Sequence, residues 1–122
     1  MKYVLIAAGG GAGSLARYLA GTAVMTRFGA RFPWGTLVVN VTGCFLIGLI
    51  VTLLTERFSP GTNWRPLLVI GFLGGYTTFS SFEWETYSAM RDGSSWIGLA
   101  NVIGSVFFGY AAVWLGAALA RR

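Results

Sequence analysis

Gly71-Phe-Leu-Gly-Gly-Tyr-Thr-Thr-Phe-Ser-Ser-Phe-Glu83 is the stretch on which the reading of this chain turns. It lies inside an apolar segment, roughly Pro66 to Met90, long enough to cross a bilayer, for which ~20 residues suffice. Yet its paired glycines and its run of hydroxyl residues suit an unbroken helix in lipid poorly. Each glycine costs a helix ~1 kcal/mol, and threonine and serine are residues that cap a new helix start. In hydrocarbon, irregular backbone survives only where protein buries it or where it lines a polar cavity. The stretch therefore predicts a first half-helix over about Leu67 to Gly74, an interruption at Gly74-Gly75 and Thr77-Thr78, and a second half-helix beyond. A continuous helix with glycines on a packing face is the alternative. Carbonyls released at an interruption suit a small hard cation, while the facing half-helix N-terminus favours an anion.

Outward from this stretch, three further apolar segments recur, roughly Val4 to Val24, Thr36 to Thr55 and Trp96 to Ala120. The composition, 55% hydrophobic and 11% charged over 122 residues, is that of a membrane protein, and the expectation is one all-α domain, 1-122, of four transmembrane helices. The first segment follows Lys2 as a signal peptide might, but it is longer than a secretory h-region and lacks a cleavage site, so it is expected to stay. Loops are short, with Pro33, Pro60 and Asp92-Gly93 as turn or helix-start signals. Tyr3, Trp34, Trp64, Tyr87 and Trp96 fit interfacial belts. Cys44 is the single cysteine, so no intrachain disulfide exists.

The net charge of +5 is scattered over segment ends and makes no nucleic-acid patch; lipid head groups are the expected neighbours. With four spans, Lys2, Arg57, Arg65, Arg121 and Arg122 fall on one side, and Arg27, Arg31 and Arg91 on the other, joined by Arg17 if it reaches that surface from within the first helix, a weak bias compatible with insertion in both orientations. Gly9 with Gly13, Gly10 with Ser14, Gly71 with Gly75, and Ser105 with Gly109 have the spacing that lets helices approach closely. Helices packed so tightly leave little room for an aqueous path inside one chain. The Gly9-to-Ser14 run has no preceding strand and no following Lys-Ser/Thr pair, which argues against a phosphate loop.

The polar residues inside the spans are few. Phe79 and Phe82 share a helix face and are either core packing or ring edges turned to an anion. Asn40, one turn from Thr36, offers two amide donors to an anion or to a neighbouring helix. Asn101 and Ser105, four apart, extend a hydrogen-bonding track. Glu83, Glu85 and Arg17 are costly in lipid and so are functional candidates; Glu83 also fits a capping box with Ser80, and Arg17 either faces a vestibule or snorkels to the head groups.

On these residues the chain resembles the Fluc (CrcB-type) fluoride channels. The matching pieces are Gly9-Gly10 with Gly13 and Arg17-Tyr18, Pro33-Trp-Gly-Thr-Leu-Val-Val-Asn40 with Gly43 and Gly48, and Gly71 to Phe82. The resemblance implies an antiparallel, dual-topology homodimer in the cell (inner) membrane, with the third helix broken near the midplane and two fluoride pathways at the subunit interface. It implies a central sodium ion held by the backbone carbonyls of Gly74 and Thr77, and pathways lined by Phe79, Phe82, Asn40, Ser105 and Glu85, with Thr36 and Asn101 adding to the polar lining and Arg17 at the vestibule. Ser81 stands where members commonly have threonine, Asn101 where some have tyrosine, and Gly109 where some have a second serine.

The function so implied is passive, fluoride-selective export that protects the cell from fluoride. One rival is a small multidrug exporter, but that class uses a glutamate deep in its first span, where this chain has Arg17 and no acid. A second is a non-transport assembly protein using its glycine faces to bind partner helices. An enzyme is not expected, since there is no histidine and the one cysteine lies in a span.

Overall fold

The computed structural model describes residues 1–58 and 61–122; Pro60, one of the turn signals, lies outside them. The described residues are helical or in short connections, with no strand. Helix α1 (Lys2–Phe28) is followed by α2 (Trp34–Thr52), which continues as a π-helical run, Leu53–Phe58. A second π-helical run, Arg65–Leu73, leads into α3 (Gly74–Tyr76), and α4 (Phe79–Arg91) and α5 (Ser95–Ala120) complete the chain. The first helix is longer than its apolar stretch, since Arg27 and Phe28 extend it to the turn at Gly29, where φ is 84° and the amide closes on the Met25 carbonyl. Gly93, at φ 86°, makes the α4–α5 turn.

Two helices among the described residues are long and apolar enough to cross a membrane, Trp34–Phe58 and Ser95–Ala120. The other two segments miss that mark for visible reasons. Helix α1 dilutes its apolar side chains with glycine, alanine and Arg17, and the segment from Arg65 to Arg91 leaves the helix at Thr77 and Thr78. Large apolar side chains nonetheless cover the outside. On α5, Ile103, Phe107, Tyr110 and Trp114 form one exposed stripe at helical spacing, far more apolar surface than a soluble domain presents to water.

Close backbone approach organises the packing. A Cβ on Gly9 or Gly13 would strike the Leu67 and Phe72 carbonyls, and one on Gly75 would strike that of Gly10, so α1 lies directly on the π-helical run and α3. Gly48 and Gly116 do the same for α2 and α5, against Val113 and Phe45. Buried Tyr76 then ties α3 to α2 through a 2.8 Å bond between its hydroxyl and that of Thr42. Backbones this close gain dispersion along the whole contact.

Gly48→Leu should therefore lower the melting temperature of the detergent-solubilised protein, at a cost of about 1–3 kcal/mol or more. Gly11→Ala, whose methyl meets nothing within 4 Å, should hold or slightly raise it. Equal melting curves for the two variants would contradict this account of the packing.

Candidate functional site

The interruption sits on threonines, two residues beyond the glycines. Gly74 is helical, at φ −62° and ψ −37°, and Gly75 serves the contact with α1. Thr77 and Thr78 are extended, with φ/ψ of −85°/156° and −149°/117°. Thr78 is the N-cap of α4: its hydroxyl accepts from the Ser81 amide at 3.3 Å and lies 3.1 Å from the Ser81 hydroxyl. The capping box expected of Ser80 and Glu83 is thus displaced two residues upstream, and Glu83 is simply exposed.

Asn40 of α2 closes this gap. Its Nδ2 donates to the Thr78 carbonyl at 2.8 Å, and its Oδ1 accepts from the Thr78 amide at 2.8 Å, so one side chain gives that amide the partner the extended conformation removes and adds a second donor to the carbonyl that opens α4. The Thr78 amide is thereby diverted from the Gly74 carbonyl, its partner in a continuous helix, and Gly74 is exposed. Arg17 reaches the same gap rather than the surface: its guanidinium donates to the Thr77 carbonyl at 3.3 Å.

Two recesses flank the gap. One, of about 570 Å³, is lined by Arg17, Thr36, Thr78, Ser81 and Glu85 among others. There the Thr36 hydroxyl donates to Glu85 Oε1 at 2.7 Å, while Glu85 Oε2 is buried with no partner among the described residues. The other, of about 340 Å³, is lined by Asn40, Cys44, Gly74, Thr77, Thr78 and Phe79. Thr78 belongs to both and forms their partition.

The aromatic pair divides. Phe79 and Phe82 lie 5.7 Å apart, ring centre to ring centre, tilted by 50°. Phe79 is 74% exposed and rims the second recess, whereas Phe82 is 6% exposed and lines neither recess in the single chain. The α5 residues form a third set. Asn101 is fully buried and donates to the Thr86 hydroxyl at 3.0 Å, and half-buried Ser105 donates to Asn101 Oδ1 at 3.4 Å.

The residues singled out in the sequence thus fall into three groups: Asn40, Gly74, Thr77 and Phe79; Arg17, Thr36 and Glu85; Asn101 and Ser105. Sequence reasoning missed Thr78 as the clamp's target, Ser81 as the residue it caps, and Thr86. The available signal for Thr86 was a hydroxyl inside a span, four residues after Phe82, where it can bond back to the preceding turn.

Residues 4–117 match the family described as CrcB-like protein, camphor resistance. The chain belongs to this CrcB family. A relative from Solibacter usitatus is 74% identical over 122 residues, all of both chains. Relatives from Acidobacterium capsulatum and Coxiella burnetii are 45% and 44% identical, over all of this chain and 98% and 99% of theirs. Each of the three is named fluoride-specific ion channel FluC. A CrcB chain with this geometry has the means to handle a small anion in a dry site: a guanidinium, amide and hydroxyl donors, and a helix N-terminus facing an open gap.

Asn40→Ala would strand the Thr78 amide, a loss of about 1–3 kcal/mol, while the Thr78 carbonyl keeps its place as first acceptor of α4. Hydrogen exchange at the Thr78 amide should accelerate in this variant while exchange in α5 is unchanged. Unaltered protection at Thr78 would mean that the clamp does not hold the gap.

Proposed function

We propose that this protein is a fluoride-selective channel of the cell (inner) membrane, exporting fluoride passively and so protecting the cell. The observation that carries the reading is the full-length similarity to relatives named fluoride-specific ion channel FluC, 74% identical in the first case. The donor groups gathered around the Thr77–Thr78 gap support it from the chemistry. A negative interior drives the anion outward, worth ~2.3 kcal/mol per charge per 100 mV, so no energy source is needed. Selectivity arises because amide, hydroxyl and ring-edge donors replace water around a small anion and fit chloride poorly.

In this reading four helical segments span the bilayer, the gap lies near the midplane, and two copies pair antiparallel, in dual topology. Two features support the pairing. The basic residues divide almost evenly between the two ends, and Phe79 and the second recess open outward from the single chain. Fluoride then passes between the copies along Asn40, Phe79 and Phe82, with Ser105, Asn101, Thr36 and Glu85 along the polar wall. Arg17 draws the anion in. One Nδ2 proton of Asn40 is committed to Thr78, and its second remains for the ion.

The same gap suits a sodium ion. The Gly74 carbonyl has lost its helical donor, and the Thr77 carbonyl accepts only the long bond from Arg17, so two hard neutral oxygens per chain would hold it. Such an ion supplies positive charge that binds the carbonyl dipoles of two copies together.

Liposomes containing the purified chain should release fluoride, with chloride retained. Equal release of both ions would refute the selectivity, and no release would return the glycine faces to a role in assembly alone. Phe79→Ala, Phe82→Ala and Asn40→Ser should each slow fluoride efflux by about tenfold or more while the dimer still assembles.

A further inference from the structure

The inference rests on the reading of Ser105 as a hydroxyl that serves the fluoride path. Behind it runs a buried chain of hydrogen bonds with a fixed direction. Thr86 is 8% exposed, and its hydroxyl donates to the Phe82 carbonyl at 2.9 Å, one turn back in α4. With its only proton so committed, the Thr86 oxygen can do nothing but accept. Asn101, 1% exposed and facing it from α5, must therefore present Nδ2, which it does at 3.0 Å. That choice leaves Oδ1 on the far side of the amide, toward Ser105.

The direction matters at the end of the chain. Opposite an amide nitrogen, the Ser105 hydroxyl would accept, and its proton would have to find another partner. Opposite Oδ1 it donates, at 3.4 Å, well beyond the ~2.7–2.8 Å typical of a hydroxyl–oxygen bond. A proton held that loosely is transferred to a better acceptor by rotation about one bond. Fluoride is such an acceptor, and when it leaves the hydroxyl swings back to Asn101.

We propose that Thr86 is a positioning residue for conduction: it sets the orientation of the Asn101 amide, and through it keeps the Ser105 hydroxyl proton loosely parked and ready for a passing anion. Thr86 touches no ion itself. Its carbon framework packs, but only its oxygen carries this role.

Fluoride efflux from liposomes, read with a fluoride electrode, tests this with T86V, T86S, S105A and the double variant T86V/S105A. T86V keeps the shape and removes the acceptor, and it should slow efflux by about threefold to tenfold, the effect of one hydrogen bond. T86S restores the oxygen and should stay within about twofold of the parent rate. In the S105A background T86V should change nothing further. The inference alone is overturned if T86V conducts at the parent rate, if T86S is as slow as T86V, or if T86V slows S105A by the same factor as it slows the parent. If S105A itself conducts at the parent rate, the reading of Ser105 falls and the inference with it. Should T86V not assemble as a monodisperse species, T86A removes the same oxygen and is read against T86S in the same way.

Discussion

The clamp between Asn40 and Thr78 is the interaction on which the rest of this structure depends. Leaving the helix for two residues strips backbone groups of partners in a region where water is scarce, and each group left bare costs free energy. A carboxamide is the one neutral side chain that carries a donor and an acceptor at the spacing of a peptide group, so Asn40 answers both ends of Thr78 at 2.8 Å. Because the Thr78 amide turns to Asn40, the Gly74 carbonyl is released. Because Thr78 is fixed, its hydroxyl is in place to cap α4. Termination, exposed carbonyl and helix start are consequences of one side chain.

Much of this was legible in the sequence, and the misses share a cause. Composition and four apolar segments gave an all-helical membrane protein, and glycine with hydroxyl residues marked the right thirteen-residue neighbourhood of the third segment. Of the interruption expected at Gly74-Gly75 and Thr77-Thr78, the extended residues are the two threonines alone, and the glycines stay helical. Their role is contact: Gly75 admits the Gly10 carbonyl, a tertiary fact that local propensity does not contain. The cap moved from Ser80 to Thr78 for the same reason, since only Asn40, thirty-eight residues away, makes an extended Thr78 affordable. Arg17, for which the sequence offers either a vestibule or the head groups, bends to the Thr77 carbonyl because the gap supplies an acceptor that a regular helix lacks. Thr86 was passed over because threonine in an apolar span reads as ordinary until the buried amide opposite it is known.

Close packing explains why the polar groups lie on outward-facing recesses. Gly9, Gly13, Gly48 and Gly116 bring backbones so near that the interior of the chain is closed, and both recesses at the gap open at its periphery. A path along them needs a second wall. The antiparallel pairing proposed above would supply one of matching chemistry and would cover the exposed Phe79. The aromatic stripe on α5, by contrast, is continuous and free of charged side chains, as suits a surface left to lipid.

Arg17 and Glu85 line the same recess, yet they form no ion pair among the described residues. Each is held instead by an uncharged partner, Arg17 by the Thr77 carbonyl and Glu85 by the Thr36 hydroxyl. The difference has an electrostatic result. A bidentate pair would satisfy both groups and leave a neutral, closed recess. Held apart, Arg17 stands at the gap and Glu85 against Thr36 of α2, so the recess keeps two distinct polar ends. The neutral partners that separate the two charges, Thr36 and the unwound backbone at Thr77, are therefore as much a part of the site as the charges themselves.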